Sequence, residues 1–105
     1  MANNLVRDES YVVILGWMVT DLNLQGIELT IYATIYGFSQ DGASYFEGSR
    51  KYLMEWSGAK SLRTVDAAVQ SLIGKGYIQK VEEYRNGVKF CKYKAIKILH
   101  ENATG

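Results

Sequence analysis

Asn86-Gly87 stands between two runs rich in β-branched and aromatic residues, 77–85 and 88–99, and this arrangement constrains the chain more than any other feature. A two-residue type I′ turn needs positive φ at both central positions, which asparagine and glycine tolerate and most residues resist. The two runs are therefore expected to pair as a β-hairpin. Its alternation is imperfect, because Glu82-Glu83 interrupts the first run and lysines recur through the second. That pattern suits a hairpin whose tip projects from the body.

Upstream of the hairpin the apolar period changes from two to about 3.6. Ile27, Ile31 and Ile35 recur every fourth residue, with Leu24 and Tyr32 beside them, which predicts a helix over 24–36. Asn23 is its expected N-cap and Gly37 its expected C′ residue. A turn over 39–42 and a short strand over 43–46 should follow. Ser49 is expected to cap a second helix ending near Trp56, with Tyr52, Leu53 and Trp56 facing inward and Gly58 breaking the pattern. Ser61 is expected to cap a third helix, where Val65, Ala68, Val69 and Leu72 form the apolar face and Gly76 ends it. Two short helices joined by a glycine-containing turn of about four residues are a helix-turn-helix signature.

The apolar run 11–19 is far shorter than the roughly 20 residues a membrane-spanning helix requires. No basic region precedes it, since Asp8 and Glu9 follow Arg7 at once, so a secretory signal is not expected. It reads as a buried strand over 11–15, then a short turn carrying Trp17 and Met18. The expected organisation is a flexible N-terminus over 1–10, one domain over 11–99 and a tail over 100–105. With 105 residues, 48% of them hydrophobic, the chain holds enough apolar material for one core. The expected fold is α+β, a winged helix-turn-helix: a three-helix core with a C-terminal β-hairpin wing and an N-terminal strand.

Net charge is only +1, but its distribution is uneven. Residues 1–48 carry one basic and six acidic side chains, and residues 49–105 carry eleven basic and five acidic ones. A domain with this asymmetry is expected to present a basic face from its C-terminal half, as phosphate binding requires. A solvated surface with fortuitous segregation would give the same count.

Catalysis finds little support in the residues. His100 is the single histidine and Cys91 the single cysteine, too few for a metal site. A lone thiol forms no internal disulfide, which fits a reducing, cytoplasmic setting with Cys91 as a small strand residue. Glu82 and Glu83 are adjacent on a strand and point to opposite faces, so they are not a carboxylate pair. Gly74-Lys75-Gly76 closes a helix instead of opening one, so it is not a phosphate-binding loop. Neither enzymatic activity nor a cofactor, a small-molecule substrate or a membrane partner is expected.

The run Gly-Ser-Arg-Lys-Tyr-Leu-Met-Glu-Trp (48–56) and the later Arg63-Thr64-Val65, Ala68-Val69, Ser71-Leu72 and Lys75-Gly76-Tyr77-Ile78 carry a resemblance. They are similar to the winged-helix domains of phage and plasmid replication-initiation proteins. The upstream Leu29-Thr30-Ile31-Tyr32-Ala33 and Tyr36-Gly37-Phe38-Ser39 narrow the resemblance to replisome-organiser and DnaD-type proteins of Gram-positive bacteria and their phages. It covers roughly residues 11 to 95. It implies a non-catalytic domain that binds double-stranded DNA, with the third helix in the major groove and the wing along the backbone. It also implies other replication proteins as partners, and a chain that continues past residue 105.

Carried onto this sequence, the outward positions of the third helix are Ser61, Arg63, Thr64, Asp66, Ala67 and Gln70. Arg63 is placed to reach a phosphate or a guanine edge, or else to pair with Asp66 three residues on. Lys60 adjoins the helix N-terminus, where backbone amides also attract phosphate. Gln70 matches adenine as readily as solvent. Asp66 and Ala67 stand where relatives commonly carry polar or basic residues; a carboxylate there is repelled by phosphates but accepts from cytosine N4. In the wing, Lys80, Arg85, Lys89, Lys92 and Lys94 make the densest positive region, with Arg85 and Lys89 straddling the tip. Lysines on edge strands also discourage aggregation. The modest net charge, Asp66 and the many tyrosines keep two other readings open: a winged-helix interaction module that forms a homodimer through its first helix or N-terminal strand, and a small transcriptional regulator.

Overall fold

The computed structural model describes residues 6–40 and 44–96. Four helices precede one antiparallel hairpin: α1 (Gly16–Thr20), α2 (Gly26–Ser39), α3 (Arg50–Ser57), α4 (Leu62–Gly74), β1 (Ile78–Arg85) and β2 (Val88–Ala95). The order and the shared core make this a winged helix-turn-helix of the α+β class. Among the described residues no helix is long and apolar enough to cross a membrane.

The helix-turn-helix forms as its capping residues require. Ser49 Oγ accepts from Tyr52 N at 3.1 Å, and Ser61 Oγ accepts from Thr64 N at 3.2 Å. Each cap satisfies one of the amide donors that a helix start leaves unpaired. The residues between the two helices are Gly58, Ala59, Lys60 and Ser61, with Gly58 in the left-handed region. α4 ends in a Schellman arrangement: Gly76 N donates to Ile73 O and Tyr77 N to Leu72 O, with Gly76 at φ +79°. The inward residues of α4 are Val65, Ala68, Val69 and Leu72, all buried. They pack with Ile31, Tyr32 and Ile35 of α2 and Leu53 of α3. Burial of each large aliphatic side chain contributes about 1.5–3 kcal/mol.

The hairpin follows its turn chemistry. Asn86 and Gly87 both take positive φ, 52° and 81°, and Arg85 faces Val88 across the turn. Ile78 and Ala95, at the base, are buried in the core, whereas exposure rises towards the tip on both strands. The wing is fastened to α2 by Ser39, whose Oγ donates to Ile35 O and accepts from Ala95 N.

Several expectations need correction. Residues 11–15 form no strand, and Tyr11, Val13 and Ile14 are exposed, so the expected buried N-terminal strand is absent among the described residues. Residues 16–20 form α1, not a turn; the segment buries Met18 and sets Trp17 edge-on to Tyr36 at 5.4 Å. The core therefore has a short fourth helix. α2 begins two residues late and ends three residues late. Asn23 lies at φ 57° and caps nothing; Gln25 occupies the N-cap position without a side-chain bond. Leu22 and Leu24 still reach the core from the loop. Gly37 lies inside the helix, which runs on to Ser39, the residue bonded to Ala95 of the wing. The short strand is reduced to one bridge, Phe46 to Tyr93, and Ala43 and residues 41–42 of the expected turn lie outside the described residues. β2 ends at Ala95; residues 97–99, the tail over 100–105 with His100, and residues 1–5 also lie outside them.

Candidate nucleic-acid interface

α4 presents one face to the core and the other to solvent. Lys60, Ser61, Arg63, Thr64, Ala67 and Gln70 are exposed, and Asp66 is half-buried. Arg63, Ala67 and Gln70 follow one another at helical spacing, so they share a surface. Ser61 is occupied as the cap, and its hydroxyl lies 3.1 Å from that of Thr64, so these two side chains shape the helix start. A groove of about 440 Å³ runs beside this face, where Thr64, Ala67 and Lys75 oppose Asn23, Gln25 and Glu28. Lys75 Nζ lies 2.8 Å from Glu28 Oε1, and both residues line that groove. This lysine is the main reason the Glu28 carboxyl is held below the usual carboxylate range.

Asp66 does not pair with Arg63. Its Oδ2 lies 2.6 Å from Arg50 Nη1 in the first turn of α3. The carboxylate that would repel phosphate is thereby neutralised, and Arg63 has no ion-pair partner among the described residues. Arg50 and Lys51 are the basic residues that sequence reasoning passed over. The signal was available. A helix dipole disfavours cations in the first turn. Yet α3 and α4 carry Arg50, Lys51 and Arg63 there, with Lys60 just before α4, and no carboxylate. Such a grouping favours an anion outside the protein.

The wing differs from its expected form. Its cations divide between two faces, each centred on a glutamate. Glu82 lies 3.5 Å from both Lys80 and Lys89, and Glu83 lies 2.8 Å from Arg85 and 3.0 Å from Lys92. Lys89 before Lys80 lowers the Glu82 carboxyl, and hydrogen bonds from Arg85 and then Lys92 lower that of Glu83. Lys92 and Lys94 also lie over the ring of Tyr45, at 4.6 and 5.4 Å. Four of the five wing cations are therefore partnered within the hairpin. The two glutamates do point to opposite faces, as the period of a strand requires.

A cavity of about 630 Å³ lies elsewhere, between residues 9–15 and α2, with Phe38 and Tyr52 in its wall. Glu9 is the one carboxylate lining it. Among the described residues no group of His, Cys, Asp or Glu side chains is placed to hold a metal ion.

A family model described as "Helix-turn-helix domain" matches residues 22–78, just over half of the chain. The match spans α2, the α3-turn-α4 unit and the first residue of the wing. No curated protein sequence matches. Among solved structures, one described as "Structure of Rep-DNA complex" is similar over 89% of this chain and 80% of that chain, with 21% identity and a TM-score of 0.56. At that identity the likeness is one of fold.

Proposed function

Because the chain belongs to the helix-turn-helix domain family, we propose that it is a non-catalytic module that binds double-stranded DNA through the outward face of α4. The observation that carries this reading is the cluster of Arg50, Lys51, Lys60 and Arg63 at the starts of α3 and α4, with Asp66 neutralised among them. Lys60 and Arg63 flank the N-terminus of α4, and Arg50 in the first turn of α3 reaches across to Asp66 of the same helix, which suits the phosphates that border a major groove. In this reading Lys60, Ser61, Arg63, Thr64 and Gln70 meet the DNA from α4. Lys80, Arg85, Lys89 and Lys92 meet it from the wing, once phosphates compete with Glu82 and Glu83 for them. Phosphate contacts fix register, and Arg63 and Gln70 are the side chains able to read base edges.

The biological setting we infer is initiation of phage- or plasmid-type DNA replication, in the cytoplasm and together with other replication proteins. The resemblance at residues 48–78 supports it, as does the likeness in fold to a Rep-DNA complex. The test is amide chemical-shift mapping during titration with a random duplex. Shifts should concentrate in the stretch from Lys60 to Gln70, the first turn of α3 and the wing. Shifts confined to residues 11–15 and α2 would overturn the assignment of the face.

A second reading has its own observation. Residues 11–14 form neither helix nor strand, Tyr11, Val13 and Ile14 are exposed, and the segment makes no backbone hydrogen bond among the described residues, although its sequence, Tyr-Val-Val-Ile, favours a strand. An unpaired strand is a template for a second chain. A homodimer joined along this segment would serve a DNA-binding domain or a transcriptional regulator equally well, and sedimentation of a Val13→Pro variant tests it.

A further inference from the structure

The far end of the wing is apolar. Tyr84 is 68% exposed, Val88 55% and Phe90 46%, and none of them belongs to the core. They sit on both faces of the hairpin, Tyr84 opposite Lys89 and Phe90 opposite Glu83, around a turn held in one shape by Asn86 and Gly87. From residue 84 to residue 90 the chain has two cations, Arg85 and Lys89, paired with Glu83 and Glu82 just below the tip. The Arg85 guanidinium lies 5.1 Å from the Phe90 ring centroid. Protection of an edge from aggregation explains the lysines lower in the wing but not an exposed tyrosine, valine and phenylalanine at its end. Contact with phosphates explains Arg85 and Lys89 but leaves the same three side chains without a purpose.

Building on the DNA-binding reading, we propose that the wing tip is an apolar wedge that enters the minor groove and kinks the duplex. Tyr84, Val88 and Phe90 would press on deoxyribose faces and on the edge of a base step, partly unstacking it, while Arg85 and Lys89 hold the flanking phosphates. Charge decides the occupant: across residues 78–95 five cations outnumber Glu82 and Glu83, so even with Arg85 and Lys89 paired to those glutamates the wing keeps a positive excess. The partner that complements it is polyanionic and has apolar surface between its charges. Duplex DNA meets both conditions. A wedge of this kind favours steps that open at low cost, so the domain should prefer a site with a central pyrimidine-purine step over one with a stiff A-tract.

The experiment uses the full chain and two end-labelled duplexes that differ only at the central step, TA in one and AA in the other. Energy transfer between the ends reports bending, and anisotropy reports affinity. The wild-type chain should bend the TA duplex and bind it roughly fivefold tighter than the AA duplex. A Tyr84→Ser, Val88→Thr, Phe90→Ser variant keeps every charge. It should bind both duplexes equally, without the bend and with an unchanged salt slope. Tyr84→Ser alone, at the most exposed of the three positions, should show an intermediate loss and guards against a folding defect in the triple variant. Binding without bending by the wild type, or bending unchanged in the variants, would overturn the wedge and leave the DNA-binding reading standing. So would tighter binding to a single strand than to either duplex. Absence of any binding would remove both.

Discussion

Arg50 Nη1 and Asp66 Oδ2 lie 2.6 Å apart, joining the first turn of α3 to the second turn of α4 across the turn between them. Both side chains are about half exposed, at 52% and 49%, so the pair contributes at most about 1 kcal/mol to stability. Its larger consequence is electrostatic, because it removes a carboxylate from the face proposed to meet DNA.

Asp66→Asn should therefore leave the melting temperature almost unchanged and strengthen binding to a random duplex. Arg50, released from its partner, becomes available to a phosphate, and the salt slope should steepen by about one. Salt-dependent anisotropy checks this, and weaker binding by the variant would show that Asp66 itself contacts a base.

The glutamates of the wing restrain cations in the same way. Glu82→Gln with Glu83→Gln releases Lys80, Lys89, Arg85 and Lys92 from the pairs seen here. The expected outcome is tighter, less selective duplex binding, checked by competition with unrelated DNA. An unchanged affinity would mean that the wing does not touch DNA.

Gly48 marks a packing limit. A Cβ at this position would lie 2.6 Å from Phe46 Cζ, and Phe46 is itself buried and paired through its backbone to Tyr93. Gly48→Ala should cost about 1–3 kcal/mol, the usual penalty for overpacking. Chemical denaturation measures it, and a neutral result would show that the Phe46 ring has room to turn.

Tyr32 is fully buried, and its hydroxyl donates to Ile96 O at 3.4 Å. Burial, helped by Tyr36 and Tyr77, pushes its pKa up to about 12 from an ordinary 10. A phenol whose folded pKa exceeds its unfolded value contributes stability that is fully present below the unfolded value and lost as pH rises through the folded one. Stability should thus fall between about pH 10 and 12, by up to about 2–3 kcal/mol. Tyr32→Phe should flatten that part of the profile in denaturation at alkaline pH.

Much of this architecture was legible in the sequence because it rests on local chemistry. Ser49, Ser61 and Gly76 act within their own turns, and Asn86-Gly87 meets a dihedral requirement that few pairs satisfy. What escaped depends on distant residues. Asn23 has the chemistry of an N-cap, but Leu22 and Leu24 pull the loop into the core and leave Asn23 in a left-handed conformation. Residues 11–15 have the composition of a strand but pair with no strand among the described residues. The partner of Asp66 is 16 residues away, not three, and that of Glu28 is 47 away. Such pairings arise from the packing of helices and carry no sequence period.

The most direct test of the central claim is the salt dependence of binding to a labelled random duplex, for the wild-type chain and for Arg63→Ala. Contact with four to six phosphates predicts a slope of log K against log salt of roughly −4 to −5, reduced by about one in the variant, with affinity lowered across all sequences. No binding at low salt by the folded protein at high concentration would contradict the account, and the winged helix would then be a surface for other proteins.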